Sequence, residues 1–311
     1  MIKGSLVPNI TLFDPLGELD RERTAWHMNW MFDKGVDGLF LTGSYGAGPL
    51  MTNAERIEVF KIAKQVAQNF PGKVLIPHVG CIDTKSTLEL AQAAEKIGVD
   101  GIAAVPPFYY KHSEDLVLRF YKDIVDCVSV PVYAYNNPET SRFNFTLNTV
   151  AKLQEMGLAG LKDSPVDVGF VSTVYYESKI KGRPFEVILG TSKGWLPYYY
   201  MGSRAMIAGM NNWAPEVITY LVKTTFEGAQ VESEKAYVVM MDLSRKMHFM
   251  DSTLVSHMGL YARGFNGGYP RLPMALPPFD SSKYIEIREI IRKGLVQLGL
   301  EMETGSDPTI P

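Results

Sequence analysis

The chain has 311 residues, of which 46% are hydrophobic and 21% are charged, and its formal net charge is -3. A chain this apolar buries a large core, which excludes an intrinsically disordered protein, and its length suits two ordinary domains or one large α/β barrel. The near-neutral charge excludes a dedicated nucleic-acid binder, and no apolar run reaches the roughly 18 residues that a membrane span needs.

Short apolar segments rich in β-branched residues alternate with longer segments of helical periodicity. Strands are predicted at 5–12, 38–43, 74–80, 101–106, 130–136, 158–163, 186–190 and 204–209. Helices are predicted at 20–34, 52–69, 84–97, 113–127, 145–156, 167–180, 193–202 and 214–226. Eight such units predict parallel strands with crossover helices, so the fold class is α/β and the architecture a (β/α)8 TIM barrel. An open doubly wound sheet is the alternative, but LFDPLGELD follows the first strand instead of a glycine-rich phosphate loop.

The alternation stops after residue 226. Helical periodicity continues at 230–263 and 282–299, separated by the glycine- and proline-rich segment 264–280. We therefore predict a barrel at 1–226, a C-terminal helical extension at 227–300 packed on it within the same domain, and a loose tail at 301–311.

One lysine lies at the carboxyl end of a predicted strand, which is where the catalytic residues of barrel enzymes lie. Lys162 ends the sixth predicted strand and shares a face with Leu158 and Gly160. At the mouth of an apolar barrel its amine is partly desolvated, which lowers its pKa and frees it to attack a carbonyl. The alternative is a surface lysine whose charged end reaches water.

Two further segments fall at strand ends. Tyr133 and Tyr135 share a strand face, and Tyr135, nearer the end, is a candidate proton shuttle, or else one of an aromatic pair that fills the barrel. The loop GSYGAGP at 43–49 follows the second strand, and backbone N–H groups of such a loop can cradle an anion, although a flexible loop has the same composition. An amine, a proton shuttle and a carboxylate cradle are what Schiff-base chemistry on a 2-keto acid requires.

These segments resemble one enzyme family in order and spacing. GSYGAGP at 43–49, VYAYNNP at 132–138 and GLAGLKDS at 157–164 are similar to motifs of the dihydrodipicolinate synthase / N-acetylneuraminate lyase family of class I aldolases, a resemblance that covers about residues 3–300. It implies a (β/α)8 barrel with extra C-terminal helices and a homo-oligomer, commonly a tetramer. The resemblance also implies that Lys162 forms the Schiff base and that Tyr135 relays protons. It places Ser44 and Tyr45 in the loop that binds the carboxylate. Tyr109 would enter the active site of a neighbouring subunit across the interface.

The chain departs from the family pattern around the substrate. Tyr45 replaces a usual threonine, Thr140 lies where dihydrodipicolinate synthases carry an arginine, and Ser192 lies near a position where sugar-acid lyases place an aspartate. GAGP, PFYY and GYPRLP resemble the 2-keto-3-deoxygluconate aldolases, which split a 2-keto-3-deoxy sugar acid into pyruvate and an aldehyde. The substrate-binding residues that the resemblance implies are Gly43, Ser44, Tyr45, Thr140, Gly190, Ser192 and Ile207.

We therefore expect an enzyme, a pyruvate-dependent carbon–carbon lyase acting on a small 2-keto acid. The alternatives are a 4-hydroxy-tetrahydrodipicolinate synthase, a 2-keto-3-deoxy acid dehydratase, and a catalytically weak ligand-binding relative. We expect no cofactor beyond the Schiff base on Lys162 and no metal, because the five histidines include no pair at metal-ligand spacing. The N-terminus lacks the apolar core of a signal peptide, so we expect a cytoplasmic protein with no membrane partner.

Overall fold

Eight parallel strands form a barrel at the centre of the protein. The computed structural model describes residues 1–306. Within them the strands are β1 (Gly4–Val7), β2 (Gly38–Leu41), β3 (Val74–Pro77), β4 (Ile102–Ala104), β5 (Val132–Asn136), β6 (Gly160–Asp163), β7 (Glu186–Leu189) and β8 (Ala205–Ile207). Their order around the sheet is β3-β2-β1-β8-β7-β6-β5-β4. A parallel bridge between His78 and Ala103 joins the two ends of this sheet, so the ring closes.

Helices surround the barrel and follow its strands. In the described part of the chain they are α1 (Arg21–Asp33), α2 (Asn53–Ala67), α3 (Thr84–Ile97), α4 (Glu114–Cys127), α5 (Pro138–Ser141), α6 (Leu147–Glu155), α7 (Val168–Ile180), α8 (Trp195–Met201), α9 (Pro215–Phe226), α10 (Gln230–Lys246), α11 (Ser252–Ala262) and α12 (Ser281–Gln297). The predicted (β/α)8 barrel with C-terminal helices is confirmed, since every predicted strand overlaps an observed one.

Strand alternation separates two apolar regions. One face of each strand packs on the helices in the larger core, and the other face fills the barrel interior with a smaller cluster that includes Leu6, Phe40, Ile76, Tyr135 and Ile207. The interior cluster therefore forms the floor beneath the carboxyl ends of the strands.

One sequence prediction about a helix needs correction, and one short helix was not predicted. The predicted helix at 230–263 is two helices, because residues 247–251 leave the helical conformation between α10 and α11. The side chain of Asp251 accepts a hydrogen bond from the backbone N–H of Thr253 at 2.8 Å and caps the start of α11. The loop after β5 also contains the short helix α5, which begins at Pro138, a residue suited to the first turn.

The C-terminal segment packs against the barrel helices. Residues 301–306 form no helix or strand, yet Glu303 accepts a hydrogen bond from the Trp30 indole at 3.0 Å and pairs with Lys34 at 2.6 Å. The rest of the predicted tail, residues 307–311, lies outside the described residues. No helix within residues 1–306 is long and apolar enough to cross a membrane.

Candidate active site

A cavity of about 420 Å³ opens at the carboxyl ends of the strands. Side chains from the loops after β2, β5, β6, β7 and β8 line it, together with the segment between α10 and α11. The C-terminal helices thus cover one side of the barrel mouth, and the interior cluster closes the cavity from below. In a barrel of this type the strand ends are where catalytic residues lie.

Lys162 reaches this cavity from the end of β6. Its side chain is 4% exposed, and its Nζ lies 3.9 Å from the centre of the Phe40 ring and 3.8 Å from that of the Tyr135 ring. Burial lowers the pKa of the Lys162 amine, and the neighbouring Tyr135 only partly offsets this effect. Lys162 is therefore a desolvated amine between two aromatic faces, not a lysine that reaches bulk water.

Tyr135 lies on β5 directly opposite Lys162 in the strand register. Its hydroxyl oxygen accepts a hydrogen bond from the Asn137 side-chain amide at 3.1 Å and interacts with the side chains of Ser164 and Lys162. Burial alone raises the pKa of Tyr135, but the lysine charge and these hydrogen bonds outweigh it, so the net direction is downward. A phenol whose pKa is lowered in this way can exchange protons with a neighbouring amine or substrate.

A buried carboxylate fixes the strand end beside the lysine. Asp163 is fully buried; its oxygens accept a hydrogen bond from the Asn136 amide at 2.7 Å and one from the Tyr198 hydroxyl at 2.8 Å. Burial raises the pKa of Asp163, and these hydrogen bonds oppose that rise. Adjacent strand residues point to opposite faces, so anchoring Asp163 outside the barrel orients Lys162 toward the interior.

His78 packs beneath Lys162 and Tyr135 without reaching the cavity. Its ring lies edge-on to the Tyr135 ring, with centres 5.9 Å apart, and its Nε2 accepts a hydrogen bond from the Val105 backbone N–H at 3.1 Å. Burial, then the charges of Arg56 and Lys162, lower the pKa of His78 well below its usual range. A neutral histidine therefore supports the pair from below.

The loop at 43–49 turns tightly over the mouth. Gly48 allows a close approach of the backbone, because a Cβ placed there would collide with the carbonyl oxygen of Thr42. Ser44 lies at the exposed rim of the cavity. No residue within 1–306 accepts a hydrogen bond from the backbone N–H of Ser44 or Tyr45. Such adjacent donors suit a carboxylate.

Tyr45 extends from this loop toward the C-terminal helices. Its hydroxyl interacts with the Ser252 side chain at the start of α11, and its ring lies against Gly209, where a Cβ would stand 2.5 Å from Tyr45 Cζ. Burial raises the pKa of Tyr45, which keeps the phenol protonated. The side chain therefore closes the cavity on one side.

The structure brings most of the predicted site residues together. Thr140, Gly190, Ser192 and Ile207 line the same cavity as Lys162. Gly43 is buried at the base of its loop and does not line the cavity.

Tyr109 lies away from the cavity. Its side chain is 74% exposed, its backbone φ is +81°, and its ring meets that of Tyr110 with centres 5.0 Å apart. Its role across a subunit interface stays a prediction.

Three of the cavity residues that were not predicted as site residues interact directly with Lys162 or Tyr135. Phe40 supplies one of the two rings around the lysine amine, while Asn137 and Ser164 interact with the Tyr135 hydroxyl. The polar pair follows β5 and β6 directly, so the rule that placed Lys162 would also have found it. Among residues 1–306, no group of three or more His, Cys, Asp or Glu side chains is placed to hold a metal ion.

Comparison with known proteins connects this geometry with a family. The family model described as "Dihydrodipicolinate synthetase family" matches residues 1–293. A DapA-like lyase of Halobacterium salinarum is 31% identical over 280 residues, which cover 88% of this chain and 88% of its own. The putative 2-dehydro-3-deoxy-D-gluconate aldolase YagE of Escherichia coli is 28% identical over 259 residues, which cover 82% of this chain and 84% of its own.

Solved structures have the same architecture. YagE from Escherichia coli K12, in complex with pyruvate, superimposes with a TM-score of 0.83 at 25% identity, covering 96% of this chain and 99% of its own. A variant of the 2-keto-3-deoxygluconate aldolase of Sulfolobus solfataricus superimposes with a TM-score of 0.84 at 25% identity, covering 96% and 100% of the two chains.

Proposed function

The chain belongs to the dihydrodipicolinate synthetase family of class I lyases, and from that premise we propose that it catalyses reversible aldol cleavage of a 2-keto-3-deoxy acid to pyruvate and an aldehyde. The 2-keto-3-deoxy sugar acids belong to this substrate class. The observation that carries the proposal is the Lys162 amine, buried below an open cavity and beside the Tyr135 hydroxyl.

Lys162 is the nucleophile. Burial lowers the pKa of its amine, so a larger share of it is unprotonated near neutral pH and attacks the keto carbon of the substrate. Loss of water from the resulting carbinolamine gives an iminium ion. The Phe40 and Tyr135 rings stand 3.9 and 3.8 Å from the present position of Nζ, and aromatic faces attract a cation that is shielded from water. Both rings therefore stabilise the iminium.

Tyr135 moves the protons. Its hydroxyl donates a proton to the departing water during iminium formation and receives the proton of the substrate C4 hydroxyl during cleavage. The lowered pKa of Tyr135 supports this role, since the phenolate that accepts the proton becomes less costly. Asn137 and Ser164 hold the phenol in place, and Ser44 is a further donor at the rim.

The iminium accepts the electron pair of the bond that breaks. The electron pair of the C3–C4 bond passes to C3 and neutralises the iminium as an enamine, while C4 leaves as the aldehyde carbonyl. Protonation of C3 and hydrolysis of the iminium then release pyruvate and restore the amine. The backbone N–H groups of Ser44 and Tyr45 hold the carboxylate, which aligns the reacting carbons.

The remaining predicted residues complete the proposal. Thr140, Gly190, Ser192 and Ile207 contact the substrate beyond its carboxylate, Gly43 shapes the carboxylate loop, and Tyr109 of a neighbouring copy joins the proton relay in a homo-oligomer. The reaction uses no metal and no cofactor besides the covalent adduct on Lys162.

A substrate panel tests this function. We expect pyruvate release from 4-hydroxy-2-keto acids, measured with lactate dehydrogenase, and incorporation of pyruvate in the reverse direction. Pyruvate consumption with aspartate semialdehyde alone would instead favour a 4-hydroxy-tetrahydrodipicolinate synthase. Loss of water without release of pyruvate would identify a dehydratase, and an adduct without turnover on any substrate would identify a ligand-binding relative.

A further inference from the structure

The cavity above Lys162 has two chemically different sides. One side, which we call the apolar wall, comes from the loops after β2 and β8 and from the C-terminal helices, and consists of Tyr45, Ile207, Met210, Trp213, Met247, Met250 and Val255. Most of these side chains are nearly inaccessible to solvent, with Met210 6%, Trp213 4% and Met247 3% exposed. The other side carries the hydroxyl and amide groups of the loops after β5, β6 and β7.

Several hydroxyl groups that line the cavity are already hydrogen-bonded within the protein. The Ser192 hydroxyl donates to the Met240 Sδ at 3.2 Å, and Ser244 donates to the same sulfur at 3.7 Å. The Thr140 hydroxyl donates to the backbone oxygen of Asn137 at 3.2 Å. These contacts direct the donor protons of the three hydroxyls away from a substrate.

Tyr45 belongs to the apolar wall although it carries a hydroxyl group. Its hydroxyl is engaged with Ser252, and the flat face of its ring closes the space over Gly209. Apart from Lys162, the charged side chains at this cavity are Glu139 and Lys193, which lie exposed at its rim with His248. Solvated groups at a rim contribute little to the binding of an uncharged chain deeper inside.

The apolar wall disfavours the binding of a hydroxyl group and favours the binding of a hydrocarbon group. A hydroxyl placed against thioethers and an indole loses its water partners and gains no replacement. An alkyl or aryl group there gains burial, and the methionine sulfurs make favourable contacts with an aromatic ring.

We propose that the substrate carries an alkyl or aryl group beyond its C4 hydroxyl, so that the aldehyde released by cleavage is apolar and not a polyol. This inference rests on the proposed aldol reaction and narrows its substrate class. The C4 hydroxyl itself faces Tyr135 and the polar side of the cavity, and the carbon chain beyond C4 packs on the apolar wall.

Aldehydes matched in size test the inference in the direction of addition to pyruvate. Pentanal is compared with glyceraldehyde, and benzaldehyde with erythrose, since the members of each pair have equal numbers of non-hydrogen atoms. We expect kcat/KM for the apolar member to be higher by about tenfold or more. Equal or higher values for the polyol members would overturn the inference and leave the aldol function intact. Failure of all four aldehydes, with a pyruvate adduct still formed, would overturn both proposals.

A matched pair of substitutions tests the wall itself. Met250→Gln places an amide on the half-buried apolar wall, whereas Met241→Gln makes the same change at a 37% exposed position on α10 outside the cavity. We expect Met250→Gln to reduce the pentanal-to-glyceraldehyde ratio several-fold while pyruvate adduct formation persists. Met241→Gln leaves the ratio unchanged. An unchanged ratio in Met250→Gln would contradict selection by the apolar wall. If that variant fails to fold, the comparison of matched aldehydes with the unmodified enzyme tests the inference by itself.

Discussion

Lys162 and Tyr135 stand opposite each other in the register of two neighbouring strands, and the amine of the first lies 3.8 Å from the ring centre of the second. Strand pairing holds both backbones, so their mutual position does not depend on a mobile loop. The amine and the phenol are therefore placed before any substrate arrives, which removes an entropic cost from the proposed reaction.

Removing the Tyr135 hydroxyl separates proton transfer from adduct formation. Tyr135→Phe keeps an aromatic face beside the Lys162 amine but removes the proposed proton carrier. We expect kcat to fall by about 10²- to 10⁴-fold, with the amount of borohydride-trapped pyruvate adduct at long incubation nearly preserved. A turnover number equal to that of the unmodified enzyme would show that another group carries the proton.

Gly209 is required by the ring of Tyr45. A Cβ added at Gly209 would stand 2.5 Å from Tyr45 Cζ, so Gly209→Ala forces the ring from its place and costs about 1–3 kcal/mol of unfolding free energy. Adding Tyr45→Thr removes the ring, and we expect it to restore most of the loss measured by urea denaturation. Gly169→Ala, on the surface helix α7, serves as the control and leaves stability nearly unchanged. Equal stability of Gly209→Ala and the unmodified chain would contradict this contact.

Two buried histidines predict sensitivity to mild acid. Burial lowers the pKa of His27 and of His257 from 6.5 to about 4, so each stays neutral in the native state while unfolded histidine binds a proton near pH 6.5. Between these pH values the unfolded state binds more protons, and the free energy of unfolding falls as pH drops, by roughly 3 kcal/mol for each histidine at the acid end. Urea denaturation at several pH values measures this slope.

Substitution of one histidine tests whether the buried histidines cause the pH dependence of the unfolding free energy. We expect His27→Gln to flatten the pH dependence of the unfolding free energy by about half, whereas His248→Gln, at an exposed position, leaves the slope as it is. An identical slope in His27→Gln and the unmodified protein would assign the acid sensitivity to other groups.

A buried ion pair attaches the C-terminal helices to the barrel. Arg263, fully buried, donates hydrogen bonds to both carboxylate oxygens of Glu216 at 3.0 and 2.7 Å. Glu216→Ala leaves a buried guanidinium without its counter-charge, and we expect a loss of about 3–5 kcal/mol in urea denaturation. Glu289→Ala removes an exposed pair with Arg292 and leaves stability nearly unchanged. Similar effects of both substitutions would contradict the structural role of the buried pair.

Hydrophobic periodicity and the rule that site residues lie at strand ends were sufficient to predict the barrel and the positions of Lys162 and Tyr135 at its mouth. The alternation of short and long apolar segments predicted all eight strands, and the position of Lys162 at a strand end predicted a residue at the mouth. These features depend on local sequence and on a general property of the fold. They do not require knowledge of which side chains meet across the barrel.

The upper part of the cavity depends on distant contacts that periodicity does not reveal. The apolar pattern of 230–263 continues through the break at 247–251, so the sequence predicts one continuous helical segment that includes Met247 and Met250. Asp251, before Ser252 and Thr253, is the one local signal of a new helix start. Phe40 meets the lysine amine only because the barrel closes, bringing β2 opposite β6. The contact of Tyr45 with Ser252 likewise joins residues far apart in the chain.

The most direct test is reduction of the enzyme with borohydride in the presence of pyruvate, followed by intact mass measurement and peptide mapping. We predict a single reduced pyruvate adduct on the peptide that contains Lys162, and no adduct in Lys162→Arg. No adduct, an adduct on another lysine, or an adduct that persists in Lys162→Arg would contradict the assignment of this amine as the nucleophile.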